Sequence, residues 1–361
     1  MKRSRKISAA ALCSALLFIV LLFSSSPAHA LQAETLCLQF VEQKMQSDGG
    51  VFTNYLPTRE EKERAAGHSV LSESQGLMLS YYVHAKNEEM AKKTTAFVQD
   101  HLDTGNILSY RLDEDRHLYA VNAAVDDLRL IGAMLEAADA FSAPEYRAAA
   151  LAYGGRLLKT NVRNQTLADF YDEQYGQAGK YATLCYADLD VMKLLCAYDD
   201  RWLPVMENMR NIVLNGYLGG AFPMFQTRYN QDIQQYESEN VPMVESLLTA
   251  YHLSKIGSCP KQTLDYLKKT LQGDKLYSVY DLNGEPADGT ESTAIYALCA
   301  LIGVSENDAE LYRAAIDHML SFQVLDPVSP VYGAFADADT LQAFSFDNSL
   351  ALLALQAGRT L

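Results

Sequence analysis

Residues 290–303, TESTAIYALCALIG, decide how the 361-residue chain is read. A carboxylate, Glu291, leads a run of Ala, Ile, Tyr, Leu and Cys that is apolar on almost every side. A helix with no polar face has nothing to offer water, so it belongs in an interior. The same unit appears five more times. It reads SESQGLMLSYYVHA from Ser72, DDLRLIGAMLEAADA from Asp126 and ADLDVMKLLCAYD from Ala187. It continues as SENVPMVESLLTAYHL from Ser238 and FDNSLALLALQAG from Phe346. The leading acids are Glu73, Asp127, Asp188, Glu239, Glu291 and Asp347, separated by 54, 61, 51, 52 and 56 residues. A fixed period of this size is the mark of a repeat architecture.

Each apolar run has a more polar, amphipathic companion, at residues 34–46, 88–101, 144–159, 202–215, 260–271 and 308–322. Six buried and six half-exposed helices in alternation predict an all-α fold, an (α/α)6 barrel with the apolar helices as its inner ring. Turns from inner to outer helix are short, as at Lys86-Asn87. The return connections are long, and each carries an aromatic, strand-like stretch. These are VFTNY from Val51, ILSYRL from Ile107, LADFYDEQY from Leu167, AFPMF from Ala221, LYSVYDL from Leu276 and VYGAFAD from Val331. Long ordered loops usually carry function. All six lie at the end holding the inner-helix N-termini, so that face is expected to hold the site.

The chain carries 45 acidic against 30 basic residues, a net charge of −15. That excludes the clustered cations a nucleic acid or an anionic lipid surface needs. Lys2, Arg3, Arg5 and Lys6, an apolar run from Ala9 to Phe23, and Ala28-His29-Ala30 have the layout of a cleavable secretion signal. The apolar run falls short of the roughly 20 residues that span a bilayer, so membrane attachment would come only through an uncleaved signal. The expected organisation is a signal over 1–30 and one barrel domain over 31–361, secreted or held at the outer face of the envelope. Without the signal the net charge is −19. Cys37, Cys185, Cys196, Cys259 and Cys299 then remain, an odd number without CxxC or Cys/His spacing. The reading is therefore free thiols, buried for Cys185, Cys196 and Cys299, with no metal and no cofactor. The histidines show no ligand spacing, and His68 reads as a satisfied loop residue.

Taken singly, an acid at a helix start is a cap. Asp188, Glu291 and Asp347 are read as caps or pocket lining. Taken together, the acids would ring one concave mouth lined from a stock of 22 tyrosines. Glycoside hydrolysis needs two carboxyl groups across the scissile bond, one of them protonated near neutral pH. Aromatic rings pack against sugar faces, and a tyrosine adds a hydroxyl.

The motifs resemble glycoside hydrolase family 8, the bacterial cellulases, chitosanases and their relatives. That family's general acid is a Glu in a Ser-Glu-Gly-Gln-like motif at the first inner helix. Here Ser72-Glu73-Ser74-Gln75-Gly76 stands there, so Glu73 matches the acid. The family signature at the second inner helix is matched in frame by 123–131, AAVDDLRLI, with Val125 where the first acidic residue belongs. Asp126 and Asp127 are then the substrate-binding candidates. The family's base motif, Tyr-Asp-Ala-x-Arg-x-Pro, aligns with Tyr236-Glu237-Ser238-Glu239-Asn240-Val241-Pro242. Glu237 matches the base, Asn240 replaces the Arg, and Asp232 ranks ahead of Glu239 as an alternative.

The resemblance implies an inverting mechanism with Glu73 as acid and Glu237, or Asp232, as base. Tyr186, Tyr236 and Glu239 join the substrate-binding set, and the lone Trp202 is read as packing. The departures are similar to those of a divergent branch in Gram-positive bacteria that accompanies exopolysaccharide synthesis machinery. The expected substrate is an exopolysaccharide or oligosaccharide, β-linked and neutral or amino-sugar, cleaved by a monomer. The main alternative is a non-catalytic polysaccharide-binding barrel. Uronic-acid enzymes on the same barrel fit poorly, since −19 repels anionic polymers. A protein-binding helical scaffold also fits less well, because closed repeats with long loops suit a pocket.

Overall fold

The computed structural model describes residues 27–57 and 67–361. Among these, twelve α-helices alternate between two concentric rings. The outer helices are α1 (Pro27–Lys44), α3 (Glu88–His101), α5 (Pro144–Thr160), α7 (Trp202–Asn215), α9 (Lys261–Gly273) and α11 (Ala309–Leu320). The inner helices are α2 (Ser72–His84), α4 (Ala124–Ala140), α6 (Leu189–Cys196), α8 (Met243–Lys255), α10 (Thr293–Ser305) and α12 (Ser345–Ala357). Each inner helix packs on the next, and α12 packs back on α2, so the ring closes. Most of the expected secretion signal lies outside the described residues; Ala28, His29 and Ala30 lie near the start of α1. No described helix is long and apolar enough to cross a membrane.

Side-chain polarity sorts the rings. Every residue of α10 from Thr293 to Gly303 is buried. Outer α9 buries only Thr263, Leu267 and Leu271, a single stripe at a spacing of four. The short inner-to-outer turns are set by caps. Lys86 takes a positive φ of 57°, and the Asn87 side chain accepts from the Met90 N–H at 3.2 Å to start α3. Asp308 does the same for α11 through the Leu311 N–H. Gly132 lets α4 approach α6, since a Cβ there would lie 2.6 Å from a methyl of Val191. Trp202 is fully buried at the start of α7, in the packing role expected of it. Cys185 and Cys299 are buried free thiols, while Cys196 is half-buried.

Two inner helices start later than their leading acids suggested, and a third is short. α8 begins at Met243 rather than near Ser238, because Val241-Pro242 pairs as a strand with Val279-Tyr280 and the proline favours extended backbone before it. Glu239 is therefore an exposed loop residue. α10 begins two residues after Glu291. α6 has only eight residues; a 3-10 turn, Leu184–Tyr186, fills the rest of its place and packs on α8.

The long connections carry short strands. A hairpin pairs β1 (Tyr171–Asp172) with β2 (Gln177–Ala178). A three-stranded antiparallel sheet of β3 (Tyr181–Thr183), β4 (Arg228–Asn230) and β5 (Gln235–Glu237), ordered β5-β4-β3, joins the third and fourth long connections. Residues 227–236 carry no apolar alternation, so the sheet is held by backbone pairing between connections.

Candidate active site

Glu73 sits in the first turn of α2 and is partly open to solvent. Ser72, just before it, is buried and donates to Asp126 Oδ2 at 3.0 Å. Arg129 donates to Asp126 Oδ1 at 2.7 Å from one turn further along α4. Gly76 makes this possible, because a Cβ on it would lie 3.1 Å from the Arg129 stem. Asp347, in the first turn of α12, accepts from the Ala294 N–H at 2.8 Å. Burial, then the negative charge of Asp126, pushes the Glu73 carboxyl up to about 7; Arg129 opposes this and Asp347 adds to it. Burial likewise raises Asp347 to about 6. A carboxyl that titrates near neutrality can hold a proton and deliver it.

A second group gathers on the three-stranded sheet. Thr183, Arg228 and Glu237 are direct partners across its strands, so their side chains share a face; Tyr181 and Asn230, two residues on, share it too. Asn230 donates to Glu237 at 2.9 Å. The Arg228 guanidinium lies 4.3 Å from the centre of the Tyr181 ring. Hydrogen bonds from Asn230 and Tyr181, with Lys180 and Arg228 nearby, hold the Glu237 carboxyl below its ordinary value. Glu237 is therefore an anion at neutral pH.

Asp169 accepts from Thr183 twice, from N–H at 2.5 Å and from Oγ at 2.8 Å. Burial raises it to about 6 against those bonds. Glu245, in the first turn of α8, is raised by burial and by Asp169. Tyr186 connects the two groups. Burial pushes its phenol up, and Cys185, Asp126, Asp169 and Glu73 add to that push.

Of the expected ring of six acids only two, Glu73 and Asp347, converge, and Asp126 joins them; the other four go elsewhere. Asp188 caps α6 through the Val191 N–H. It also faces residues late in α8, with Lys255 Nζ 3.7 Å away and His252 Nδ1 3.4 Å away. Against the cost of burial, Lys255, with His252 beside it, holds its carboxyl far below the usual range. Glu291 pairs with Lys275 at 2.7 Å and accepts from Tyr296 at 2.5 Å. Tyr296 stacks on His318 of outer α11, so Glu291 faces outward between rings.

Of the two acids at the second inner helix, Asp126 is the one beside Glu73. Asp127 is buried behind it and accepts from Asn122 at 2.6 Å. Tyr236 points to the other face of the sheet and donates to the Ile212 carbonyl at 2.5 Å, which makes it a packing residue. Asp232 is exposed at the turn between β4 and β5, paired to Arg163 at 3.2 Å, and does not join the carboxylates around Glu73. Glu239 is exposed beyond β5. His68 stacks on Phe52 and bonds the Tyr55 carbonyl at 3.1 Å, a satisfied loop histidine. Sequence reading missed Asp169, Glu245, Arg129 and Arg228. Asp169 lay inside the aromatic stretch from Leu167, where nothing in the pattern sets it apart from Asp172 or Glu173.

No family model matches the chain. It is similar to the Bacillus subtilis protein named "Putative lipoprotein YdaJ", 27% identical over 296 residues that cover 79% of this chain and 78% of that one. Among solved structures, an alpha-amylase from Clostridium perfringens shares 32% identity, with 90% of this chain and 97% of that one superposed at a TM-score of 0.84. PssZ from Listeria monocytogenes shares 19% identity at a TM-score of 0.69, covering 88% and 93%. Endoglucanase Cel10 from Klebsiella pneumoniae, a family 8 glycosyl hydrolase, shares 14% at 0.59, covering 80% and 97%. The acid motif stands at the first inner helix, the barrel around it shares the fold of the family 8 endoglucanase, and a glycosidase aligns over nine-tenths of the chain at 32% identity.

Proposed function

We propose that this hydrolase acts outside the cytoplasm on a neutral or amine-bearing polysaccharide, and that it inverts the anomeric centre. The observation that carries this is the contrast between two carboxyls: Glu73 pushed up to about 7, and Glu237 held below its ordinary value. Glu73 donates its proton to the glycosidic oxygen as the bond to the anomeric carbon breaks. Glu237 takes a proton from the water that attacks the opposite face of that carbon. The sugar gains OH, the leaving alcohol gains H, and the two carboxyls have exchanged roles, to be reset by solvent. Asp126, beside Glu73, takes the substrate-binding part. The charge of −19 on the chain without residues 1–30 disfavours anionic polymers. The sequence features of residues 1–30, together with the lipoprotein name of the Bacillus relative, support action at or beyond the envelope. The likeness to a divergent exopolysaccharide-associated branch makes the host's own exopolysaccharide the first β-linked substrate to try.

One observation favours a second substrate reading. The relative at 32% identity is named as an alpha-amylase, so an α-linked glucan stands beside the β-linked polymers. Proton NMR of freshly released ends, on soluble starch, hydroxyethyl cellulose and the host exopolysaccharide, tests both questions at once. New ends should first appear with the configuration opposite to the bond cleaved. Ends that first appear with the same configuration would sink the inverting assignment.

The pH dependence follows from the same carboxyls. Glu73 acts only when protonated, so kcat/KM should fall as pH rises through about 7. Arg129 favours the ionised form of Glu73, and Asp126, Asp347 and Tyr186 are the other titratable groups around it. Arg129→Met should therefore move the alkaline limb upward, and Arg129→Lys should hold it. An unmoved limb in the Met enzyme would show that Arg129 only packs.

A further inference from the structure

Two hairpins stand on the rim beside Glu237. The first, β1–β2, rises directly after Asp169. The second, β4–β5, has Glu237 at its base and Asp232 in its turn. At about 3.3 Å per strand residue, that turn reaches roughly 15 Å from Glu237. Between the two hairpins lies a groove of about 360 Å³, lined among others by Arg163, Phe170, Tyr175, Gly179, Lys180 and Asp232.

The groove has a fixed floor and unspent rings. Arg163 donates to the Gly179 carbonyl at 3.3 Å and to Asp232 at 3.2 Å, tying one hairpin to the other. Gly179 lets the Phe170 ring lie against the backbone, since a Cβ there would be 3.0 Å from a ring carbon. Phe170 is nonetheless 42% exposed, and Tyr175 is 76% exposed. Two aromatic rings left in water beside hydrogen-bonding side chains match the surface of a sugar ring, which has an apolar face and a polar edge.

We propose that this groove is a second carbohydrate-binding site, holding a neutral stretch of the same polysaccharide a few sugar rings away from the bond being cleaved. The proposal rests on the hydrolase reading above for its ligand class. Asp232 then serves chain binding rather than proton transfer. The groove adds reach: a polymer held at both places stays on the enzyme after a cut, whereas a short oligosaccharide fills only the mouth.

The test separates binding from cleavage. A Glu73→Gln protein is run by electrophoresis through gels containing soluble starch, hydroxyethyl cellulose or glycol chitosan. Retardation is expected in at least one gel, and adding Phe170→Ala and Tyr175→Ala should abolish most of it. In the active enzyme, the same pair of substitutions should lower kcat/KM on the retarding polymer about tenfold more than on a trisaccharide of the same linkage. Equal losses on polymer and trisaccharide would overturn the proposal, as would undiminished retardation of the triple variant. Failure of Glu73→Gln to be retarded in all three gels would overturn it as well. Retardation without any cleavage by the unaltered enzyme would uphold the groove and sink the hydrolytic reading.

Discussion

Glu73→Gln should lower turnover about 100- to 10,000-fold and leave the fold intact, the loss expected when a positioned general acid is removed. The substitution keeps the shape of the side chain and removes its transferable proton. The carboxyl is partly open to the cleft, and it titrates near 7 because burial and Asp126 disfavour its charge. A neutral amide suits that environment, so thermal stability should hold or rise. Substrates with an activated aryl leaving group need less protonation and should lose far less. Turnover on polysaccharide close to that of the unaltered enzyme would remove Glu73 from the mechanism.

Glu237→Gln should cost about as much, again about 100- to 10,000-fold, but with a different signature. Loss of the base blocks water attack whatever the leaving group, so aryl substrates should not recover. The closest rival is Asp169, whose two oxygens are both engaged by Thr183 and whose carboxyl is raised to about 6 by burial. Asp169→Asn should therefore retain most activity on aryl substrates. If Asp169→Asn is the inactive protein and Glu237→Gln the active one, the base is Asp169. Asp232→Asn should resemble neither, because its carboxyl lies in the hairpin turn with Arg163.

The barrel was legible because its signal is one-dimensional. Runs buried on all sides, such as 290–303, and companions with one stripe, such as 261–273, declare their rings without any knowledge of contacts. The outer helices at 88–101 and 202–215 end where caps and polarity place them. Glu73 was legible for a different reason, since its motif matches a family. Of the second group only Glu237 was legible, through the motif at 236–242. Asp169, Arg228 and Glu237 meet only because β3 of one connection pairs with β4 of the next, and residues 227–236 show no apolar alternation to announce a strand. The acids at the inner-helix starts misled for a related reason. A one-residue change of position turns a side chain through about 100° on a helix, so Asp127 faces the interior while its neighbour Asp126 faces Glu73.

Closure of the inner ring also constrains the order of folding. The last inner helix packs on the first, and Ser74 meets Ser345 across 271 positions at 2.7 Å. Arg359 reaches Glu34 across 325 positions at 2.5 Å. A chain emerging from its N-terminus cannot complete the cylinder until α12 arrives. Until then α2 keeps one flank uncovered, and Glu73 lacks Asp347, one of the neighbours that keep its proton on. Contacts of such separation make folding slow. Glu73 thus has its full set of neighbours only once α12 has packed against α2.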